Sequence, residues 1–532
     1  MADNSSYAMQ EILQEVKSGN VKSQLQLNKL KHKVAASFQL QKMPSNAELI
    51  QIASPQERKL FQGVLSRKPT RILSGVTVIA IMTKPYDCVG KCIYCPSSLV
   101  EGKKTPKSYT GLEPSTMRGL MFNFNPYKIV ENRLQQYREV NNYSPKLELI
   151  LQGGTFTALP YSHQKYFIKR CYDAVLERNT GSLKEAKLLC EHSKNRVVGL
   201  TIETRPDWCG KKEINRMLDL GTTRVELGVQ NPDDHTYKMN VRGHTVNDVV
   251  NATQLLKDSC FKVAYHLMPG MYGSSYENDL ENFKKVFSQQ EFMPDMIKIY
   301  PCLVMPNTPL YRLWKQGKFE PLSTEMAAEM VAELKRFIPR HVRIMRIQRD
   351  IPTTVISGGV KNSNLRQIVE QKRIEKGIKC NCIRCREAGL KSYHSGKEFP
   401  TENAKLLRED YAASNGNEIF LSFEETSNDA LFGFCRLRIP DNPFRKEITG
   451  KTGLIRELHI YSKALELSEN PGNNEMQHRG FGKALIKEAE RIAEEEFGCN
   501  KMAIISGLGV KEYYRKQLGY EKEGPYVSKA LR

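Results

Sequence analysis

Six short apolar runs, separated by polar segments of helical composition, recur between about residue 70 and residue 349 of this 532-residue chain. The runs are nearly continuous in Val, Ile and Leu rather than alternating, which is typical of parallel strands buried on both faces. They span 76–82, 147–154, 197–203, 224–230, 262–268 and 296–304. The pattern predicts repeated β/α units and a parallel sheet, with active groups at the carboxyl ends of its strands.

Three cysteines follow the first of these runs with the spacing C-x3-C-x2-C, at Cys88, Cys92 and Cys95. Three thiolates on one short loop can bind three irons of a four-iron cluster and leave the fourth iron open to a substrate. A zinc knuckle is the alternative, but tetrahedral zinc needs a fourth ligand, and no His or further Cys follows within the loop. The spacing therefore favours an iron–sulfur cluster.

A second group of thiols, Cys380, Cys382 and Cys385, lies in a lysine-rich connector over residues 350–400. Its C-x-C-x2-C spacing suits structural zinc, completed by one ligand from elsewhere, and free surface cysteines are the alternative. The chain has 13 cysteines, an odd number, and six of them form two tight groups. This usage indicates metal ligation in a reducing compartment rather than disulfides.

The chain is strongly basic, with 80 Lys and Arg against 59 Asp and Glu, which gives a formal net charge of +21. Such a surplus attracts polyanions, so nucleic acid is the natural partner. No apolar run approaches the length of a membrane span, and the first twenty residues carry acids and lack an apolar core. We therefore expect a cytoplasmic protein without membrane contact.

Residues 1–67 have helical composition and form the first predicted domain. Their basic side chains cluster at Lys22, Lys29, Lys31, His32 and Lys33. The cluster could form an RNA-binding arm, and a solvated helix face is the alternative.

The last part of the chain, 401–532, changes pattern and predicts a separate α+β domain. Strand-like segments at 418–425, 431–439 and 452–462 precede a long amphipathic helix expected from about Arg479 to Phe497. The glycine-containing segment 477–482 opens that helix. Backbone amides exposed by glycines at a helix amino terminus suit a pyrophosphate, which coenzyme A carries.

The cysteine loop resembles that of the radical S-adenosylmethionine enzymes, which have a similar Gly-Gly segment at the end of a strand. This resemblance implies a 4Fe-4S cluster on Cys88, Cys92 and Cys95. It also suggests that Gly153, Gly154 and Thr155 contact S-adenosylmethionine. At the ends of two other strand-like runs, Glu203 could accept hydrogen bonds from ribose hydroxyls, and Gln230 could do similar polar work. A structural pair with Arg205 is the alternative for Glu203. Lys298 and His266 also occupy strand positions that would face the barrel mouth or its lining.

The segment 477–482 fits the Q/R-x-x-G-x-G/A pattern of Gcn5-related acetyltransferases, which bind acetyl-CoA. The strand ELHI before it and the segment AIISGLGVKEYYRKQLGY after it also resemble that fold. Such enzymes commonly place a tyrosine beside the thioester sulfur, so Tyr513 and Tyr514 are candidates, although one of them could merely pack in the core.

The two modules joined by a cysteine linker resemble the family of Elongator catalytic subunits, through LQGGTF, IETRPDWC, ELGVQ, CIRCRE and IRELHIY among other segments. The implied fold is an α/β protein: a radical S-adenosylmethionine partial (β/α) barrel over 68–349, a zinc-binding linker over 350–400, and an α+β acetyltransferase domain. The implied activity is formation of 5-carboxymethyluridine at the wobble position of tRNA, with acetyl-CoA as the carbon donor. Other Elongator subunits are further expected partners.

The family resemblance also assigns roles to individual residues. It makes Lys146, Tyr513 and Tyr514 candidate catalytic residues. The predicted acetyl-CoA contacts are Lys146, Glu457, Leu458, His459, Ile460, Gln477, Arg479, Gly480, Phe481, Gly482, Lys483 and Tyr514. One departure is Val89-Gly90 after the first cysteine, where the family often has Pro-His and a longer spacing, which bears on loop conformation. A protein lysine acetyltransferase and a noncatalytic tRNA-binding scaffold are the alternative functions.

Overall fold

The computed structural model describes residues 2–21, 24–40, 43–44, 46–54, 56–57, 64, 75–139, 143–461 and 473–531. Lys22 of the predicted basic cluster lies outside these residues. No helix in the described part of the chain is both long and apolar enough to cross a membrane.

The first sheet contains seven parallel strands in the order of the chain. They are β1 (Thr77–Met82), β2 (Lys146–Gln152), β3 (Arg196–Thr204), β4 (Arg224–Gln230), β5 (Lys262–Leu267), β6 (Met296–Ile299) and β7 (Arg343–Ile347). Within the described residues β1 and β7 are its edges and do not pair with each other, so the barrel is partial. The predicted fold class is confirmed for this half of the chain.

One strand of this sheet was not predicted. β7 carries Arg343 and Arg346 in a five-residue segment, so the sequence lacks the apolar run that marks the other strands. The structure compensates the partly buried charge of Arg343, whose guanidinium donates to Tyr461 Oη at 2.7 Å and to Glu387 at 2.9 Å.

Helices connect the parallel strands and cover the outer face of the barrel. They are α4 (Pro114–Met121), α5 (Pro126–Glu139), α6 (Tyr161–Leu176), α7 (Leu183–Glu191), α8 (Lys211–Leu220), α9 (Asp234–Met239), α10 (Val246–Asp258), α11 (Tyr276–Ser288), α12 (Pro309–Lys315) and α13 (Thr324–Phe337). Several begin at side-chain caps, and α10 has a complete capping box between Thr245 and Asp248. Their buried faces pack on the Val, Ile and Leu side chains of the strands.

The N-terminal helices α1 (Ala2–Lys17), α2 (Gln24–Ser37) and α3 (Asn46–Ile52) pack on one another. Ile12, Leu27, Val34 and Leu49 are among the side chains of their common core. This region is therefore a packed helical unit.

The second sheet has the order β13-β14-β12-β11-β10-β9-β8 and is antiparallel except between β11 and β12. Its strands are β8 (Lys405–Ala413), β9 (Gly416–Glu425), β10 (Ala430–Ile439), β11 (Thr452–Ile460), β12 (Lys501–Ile504), β13 (Glu521–Glu523) and β14 (Tyr526–Ala530). The linker helices are α14 (Leu365–Glu375), α15 (Ile383–Arg386) and α16 (Ala388–Ser395), and the sheet carries α17 (Asn473–Arg491) and α18 (Lys511–Leu518). The predicted α+β domain is thus confirmed as a mixed sheet with helices.

The two domains meet through a cluster of eight buried charged side chains, none of which is more than 7% exposed. They are Lys257, Asp258 and Asp295 from the barrel side, and Glu418, Arg436, Arg438, Arg456 and Glu457 from the second sheet. Four are cationic and four are anionic, so the cluster is neutral overall. Arg456 binds both oxygens of Asp295 at 2.7 Å and also Glu418 at 2.6 Å.

Close backbone contact adds to this interface. A Cβ atom at Gly507 would lie 2.3 Å from the backbone of Val198, and one at Gly509 would lie 2.6 Å from Arg196. The glycines of the ISGLGV segment therefore allow the second domain to approach the amino end of β3.

We predict that Arg456→Met lowers the free energy of unfolding by about 3–5 kcal/mol, because it leaves Asp295 and Glu418 buried without their main partner. Arg408→Met is the matched control. Arg408 pairs with Asp410 at 2.7 Å, but both side chains are more than 30% exposed, so the expected loss is under about 1 kcal/mol. Denaturant unfolding of both variants measures the difference, and equal losses would show that the buried cluster does not hold the domains together.

Candidate functional site

The cysteine loop lies at the carboxyl end of the parallel strands, beside a cavity of about 150 Å³. The residues that line this cavity include Cys88, Cys92, Cys95, Gly154, Thr155, Glu203, Gln230, Arg242 and His266. The structure thus brings together predicted residues from a loop and from four different strand ends. Gly153 adjoins the cavity lining and has φ +125°, which only glycine adopts without strain.

Arg242 is the main positive charge next to the thiols. Its guanidinium donates to Cys92 Sγ at 3.4 Å, to Tyr94 Oη at 2.9 Å and to Gly228 O. Burial opposes the charge of Arg242, yet Tyr94 and Cys92 raise its pKa above the ordinary value. Burial also raises the pKa of Cys95 to about 11. A cationic partner or a metal is therefore needed to keep thiolates in this loop.

A chain of paired charges fills the barrel interior below the cavity. Glu226 accepts from His266 Nε2 at 2.7 Å and pairs with Lys298. Burial would raise the pKa of Glu226, but Lys298, His266 and Arg224 outweigh it and hold the pKa well below its ordinary value. Both Glu226 and Lys298 are therefore charged at neutral pH.

Glu203 lies at the upper end of this chain, on the cavity wall. It accepts from Tyr109 Oη at 3.3 Å and pairs with Lys298 at 3.4 Å. Arg205 instead pairs with Asp207 at 2.8 Å, so the structural partner considered for Glu203 is engaged elsewhere. The carboxylate of Glu203 therefore faces the cavity with acceptor capacity to spare.

Gln230 closes β4 in a left-handed conformation, with φ +68°. A non-glycine residue at such a φ carries strain, and strained residues cluster at functional sites. Its Oε1 atom is buried and has no hydrogen-bond partner among the described residues. Gln152, which also lines the cavity, has a buried Oε1 atom in the same situation. These oxygens could accept hydrogen bonds from a ligand.

Lys146 begins β2, whereas Gln152 at the other end of that strand lines the cavity. Six residue steps of a strand span about 20 Å. Lys146 thus lies at the amino end of the barrel, the end that faces the second domain. Its predicted contact with acetyl-CoA stays a prediction. Lys146 lies too far from the cysteine end of the barrel to act directly there.

In the second domain, β11 pairs with β12 only over its first part, ending at Ile455 and Ile504. The following segment of β11, Glu457 to Ile460, alternates between two sides. Leu458 and Ile460 would lie within 4 Å of a Cβ atom at Gly482, together with the Tyr513 hydroxyl. Glu457 instead binds Arg436 at 2.9 Å, and the His459 ring packs at a tilt against the Tyr461 ring, with ring centroids 4.4 Å apart. Only Leu458 and Ile460 therefore face Gly482 with their side chains.

The predicted helix of this domain begins earlier than expected, at Asn473 rather than near Arg479. Gly480 and Gly482 consequently lie within the helix instead of at its amino terminus, because the flanking residues are compatible with helix and a glycine costs only about 1 kcal/mol. The side chains of residues 473–479, including Gln477 and Arg479, lie outside the described part. Phe481 stacks on Phe423 at 4.3 Å, so its ring has a packing role.

The two candidate tyrosines occupy different environments. Tyr514 is 5% exposed and belongs to the core of the second sheet. Tyr513 is half-buried, with its hydroxyl beside Gly482. Burial raises the pKa of both hydroxyls, so both are protonated near neutral pH. Tyr513 is therefore better placed to meet a ligand. Lys483 on the same helix is exposed and donates to Gln517 at 3.3 Å.

The second cysteine group forms a compact triad. The sulfur atoms of Cys380, Cys382 and Cys385 all lie within 4.8 Å of one another. Hydrogen bonds from its two neighbours hold the pKa of the Cys382 thiol well below its ordinary value. Tetrahedral zinc with three thiolates places sulfur atoms about 3.8 Å apart, so this triad suits a single ion. No fourth His, Cys, Asp or Glu joins it among the described residues.

The basic residues of α2 do not form one surface. Lys29, His32 and Lys33 are exposed, whereas Lys31 is 2% exposed and donates to Asn46 on α3. Lys31 therefore links α2 to α3, and it is not one of the residues available to bind RNA.

Comparison with known proteins adds the family. Four protein-family models match parts of the chain. They are the ELP3 N-terminal domain at residues 6–73, the radical SAM superfamily at 83–285, the radical SAM C-terminal domain at 294–375 and the acetyltransferase (GNAT) family at 386–520. The tRNA uridine(34) acetyltransferase of Methanocaldococcus infernus is 50% identical over 98% of both chains. The human Elongator complex protein 3 is 39% identical over 96% of this chain and 94% of its own length.

A solved structure of the archaeal Methanocaldococcus infernus Elp3 with an N-terminal deletion matches with a TM-score of 0.77 and 50% identity. The match covers 86% of this chain and all of that chain. The chain belongs to the elongator complex protein 3 family. Membership implies a 4Fe-4S cluster and S-adenosylmethionine in the radical SAM domain, and acetyl-CoA in the GNAT domain.

The residues of this family member fit a cluster at the cysteine loop. The sulfur atoms of Cys380, Cys382 and Cys385 all lie within 4.8 Å of one another, whereas those of Cys88, Cys92 and Cys95 do not. Separate irons need thiolates spaced further apart than one ion does, so the wider triad fits a cluster better than zinc. The unpartnered oxygens of Gln152 and Gln230 and the Glu203 carboxylate fit a ligand rich in donors, as S-adenosylmethionine is.

Sequence reasoning missed several residues of this site. Arg242 contacts Cys92 and Tyr109 contacts Glu203, across 150 and 94 positions of sequence. Glu226 contacts Lys298 across 72 positions. Arg349 also reaches across the mouth, where it donates to Ser108 Oγ at 3.1 Å. Tyr94 was the only further site residue that the sequence could have indicated, because it lies between two of the predicted cysteine ligands.

We predict that Gly154→Ala weakens S-adenosylmethionine binding by about tenfold or more, because its methyl group would project into the cavity. Gly317→Ala is the matched control, since Gly154 has φ +74° and Gly317 has φ +69°, and neither Cβ would clash. Both variants should lose a similar 1–2 kcal/mol of stability, roughly the left-handed penalty. Equilibrium dialysis of the anaerobic, iron-loaded proteins measures the affinity, and equal binding by both variants would remove Gly154 from the cofactor contacts.

Proposed function

We propose that this protein forms 5-carboxymethyluridine at the wobble uridine of tRNA, with acetyl-CoA as the carbon donor. The observation that carries the proposal is that one chain contains two candidate sites. A cysteine-lined cavity opens at the carboxyl end of a parallel barrel, and an acetyltransferase-like sheet is docked at the amino end through buried charges. The names of its relatives, which include tRNA uridine(34) acetyltransferase, support a tRNA uridine as the substrate nucleoside.

In this proposal, Cys88, Cys92 and Cys95 hold the cluster. When bound, the cluster and S-adenosylmethionine supply a 5'-deoxyadenosyl radical able to remove a hydrogen from the acetyl methyl group. Arg242 neutralises thiolate charge through its contact with Cys92. Glu203 accepts hydrogen bonds from a ribose.

Glu203 has a fixed position because the charges below it are paired. Lys298 holds Glu203 on one side and Glu226 on the other, and Glu226 is further held by His266. The group that meets the ligand is therefore supported by a hydrogen-bonded row and not by loop residues alone.

On the acetyltransferase side, we propose that Leu458, Ile460, Gly482 and Tyr513 line the place of the thioester. The side chains of Leu458, Ile460 and Tyr513 would all lie within 4 Å of a Cβ atom at Gly482. Lys146 lies at the barrel end that faces this domain, in keeping with a contact to the same donor.

A lysine acetyltransferase activity is disfavoured by the state of Glu457, the carboxylate on β11. A general base works best when its pKa lies near the working pH. Burial would raise the pKa of Glu457, but Lys262 and Arg436 lower it below the ordinary value. Glu457 is also bound to Arg436 at the domain interface and is 7% exposed. It is therefore a poor base for deprotonating a lysine substrate.

We further propose that Cys380, Cys382 and Cys385 bind structural zinc. The triad lies between the barrel and the second sheet: Ile383 N donates to Val342 O, and the neighbouring Arg386 binds Glu424 at 2.6 Å. A metal at this point would fix the linker against both domains.

The two thiol sites give a paired prediction. Cys92→Ser should lose bound iron and abolish both 5'-deoxyadenosine and carboxymethyluridine while retaining zinc. Cys382→Ser should lose zinc and stability while retaining iron, because the two metals have separate ligands. Metal analysis measures the bound iron and zinc. Mass spectrometry measures 5'-deoxyadenosine and, in digested tRNA, carboxymethyluridine after anaerobic incubation with acetyl-CoA, S-adenosylmethionine and reductant.

Cys499→Ser is the control for this experiment, because Cys499 packs in the core of the second sheet, which includes none of the six triad cysteines. This variant should keep both metals and both products. Unchanged 5'-deoxyadenosine from Cys92→Ser would contradict the cluster assignment. A wild-type protein that binds tRNA and the cluster but makes neither product would favour the noncatalytic scaffold.

The leader makes a separate prediction for tRNA binding. The double variant Lys29→Gln/Lys33→Gln should weaken tRNA binding and reduce the slope of log affinity against log salt by up to about two, roughly one counterion per lost contact. Lys31→Gln, in contrast, should mainly destabilise the helices because Lys31 is buried against Asn46. Filter binding over a salt series measures the slope, and an unchanged slope in the double variant would make the leader a bystander.

A further inference from the structure

A second cavity, of about 230 Å³, lies between the two domains and shares no lining residue with the cysteine-lined cavity. One wall comes from α7, the end of α8 and Thr222 on the barrel side. The opposite wall comes from residues 505–511 and the turn 522–525 of the second domain. Since a liquid water occupies about 30 Å³, this space is large enough for a multi-atom ligand.

The charges on its walls are mostly positive. The lining residues include four lysines and one carboxylate: Lys184, Lys187, Lys511, Lys522 and Glu191. The lining charges therefore sum to +3, from four cations and one anion. Glu191, whose side chain is 3% exposed, lies 3.1 Å from Lys522 and 3.7 Å from Lys511. Lys187 is additionally paired with Asp219 at 3.6 Å, which still leaves an excess of two positive charges.

Two hydroxyl groups on the cavity wall have unmet hydrogen-bonding capacity. Thr222 is 1% exposed, and its Oγ1 atom is buried with no hydrogen-bond partner among the described residues. The Oγ atom of Ser506, contributed by the other domain, is buried in the same condition. Buried polar groups are normally satisfied, so two such hydroxyls on one cationic cavity indicate a ligand that accepts hydrogen bonds.

The shape of the cavity limits the ligand. Leu188, Leu218, Leu508 and Pro525 line it along with the polar groups. A small ligand with anionic oxygens and a short carbon portion satisfies both kinds of wall, whereas a bare halide would leave the hydroxyls and apolar walls without contacts.

We propose that this interdomain cavity binds a small phosphate-bearing anion, either inorganic phosphate or a phosphate monoester. The lysine ammonium groups balance its charge, and the hydroxyls of Thr222 and Ser506 donate to its oxygens. Because each domain supplies one hydroxyl and two lysines, the bound anion bridges the two domains. This site is separate from both cofactor sites, so it does not rest on the proposed function.

The state of Lys511 agrees with an anion nearby. Burial lowers the pKa of Lys511 to about 8; Glu191 opposes that shift, while Lys522 and Lys187 add to it. A phosphate would stabilise the charged form of Lys511. Binding should therefore weaken as the pH rises through about 8, where the free protein loses this charge.

The test is equilibrium dialysis of the full-length protein with radiolabelled inorganic phosphate, together with thermal unfolding at rising phosphate concentration. The wild type should bind one phosphate per chain, and phosphate should raise its Tm. Thr222→Val should bind phosphate about tenfold more weakly, which is the loss of one hydrogen bond to a charged acceptor. Its Tm without phosphate should be equal to or above that of the wild type, because an unpaired buried hydroxyl is removed.

Thr253→Val is the matched control. Thr253 is fully buried, but its hydroxyl donates to Val249 O at 2.7 Å. This variant should lower the Tm and leave phosphate affinity unchanged, the reverse of Thr222→Val. Lys184→Gln should weaken phosphate binding, and Lys318→Gln, an exposed lysine outside the cavity, should not.

Glycerol 3-phosphate as a competitor distinguishes a phosphate monoester from free phosphate, since stronger binding of the ester would identify the organic ligand class. No binding by the folded wild type at millimolar phosphate would overturn the proposal, as would wild-type affinity in Thr222→Val. Displacement of phosphate by tRNA would also overturn it, because the site would then serve the RNA backbone.

Discussion

Asp295 is the point at which the two domains are held together. It lies just before β6, receives two hydrogen bonds from Arg456 at 2.7 Å, and is also near Arg436 and Lys257. Removing a carboxylate from water is costly unless its partners are well placed. Here the partners belong to another domain, so the barrel and the second sheet stabilise each other's buried charges. Burial would raise the pKa of Asp295, but these cations hold it far below the ordinary value.

This docking has a consequence for function. It closes the amino end of the barrel and leaves the carboxyl end, with its cysteines, open as a cavity. Inside the barrel the charges continue as a paired row from Glu148 and Arg224 to Glu226 and Lys298. The row ends at Glu203 on the cavity wall. The same kind of interaction, a desolvated and paired charge, therefore orders both the domain interface and the candidate site.

Much of this protein could be predicted from its sequence. Continuous apolar runs marked six of the seven parallel strands, because a strand buried on both faces needs apolar side chains throughout. β7, β8 and the short strands β13 and β14 were missed. Arg343 on β7 is satisfied by Glu387 and Tyr461, and β8 has an exposed, polar face. The cysteine, Gly-Gly, Glu203 and Gln230 predictions converged on one cavity. Tyr514 and Lys31 are instead buried, because helix position alone does not reveal which face packs.

The sequence by itself determined the kinds of chemistry that the chain can carry out: thiol spacing, strand-end polar residues and a glycine pattern are local features that survive any folding of the rest. Only the tertiary structure decided which charges are neutralised by which partners. Arg242 meets Cys92 across 150 positions, and Arg456 meets Asp295 across 161. Such pairs leave no periodic signal in the chain, because their energy depends on burial and distance, which exist only after the two domains have packed.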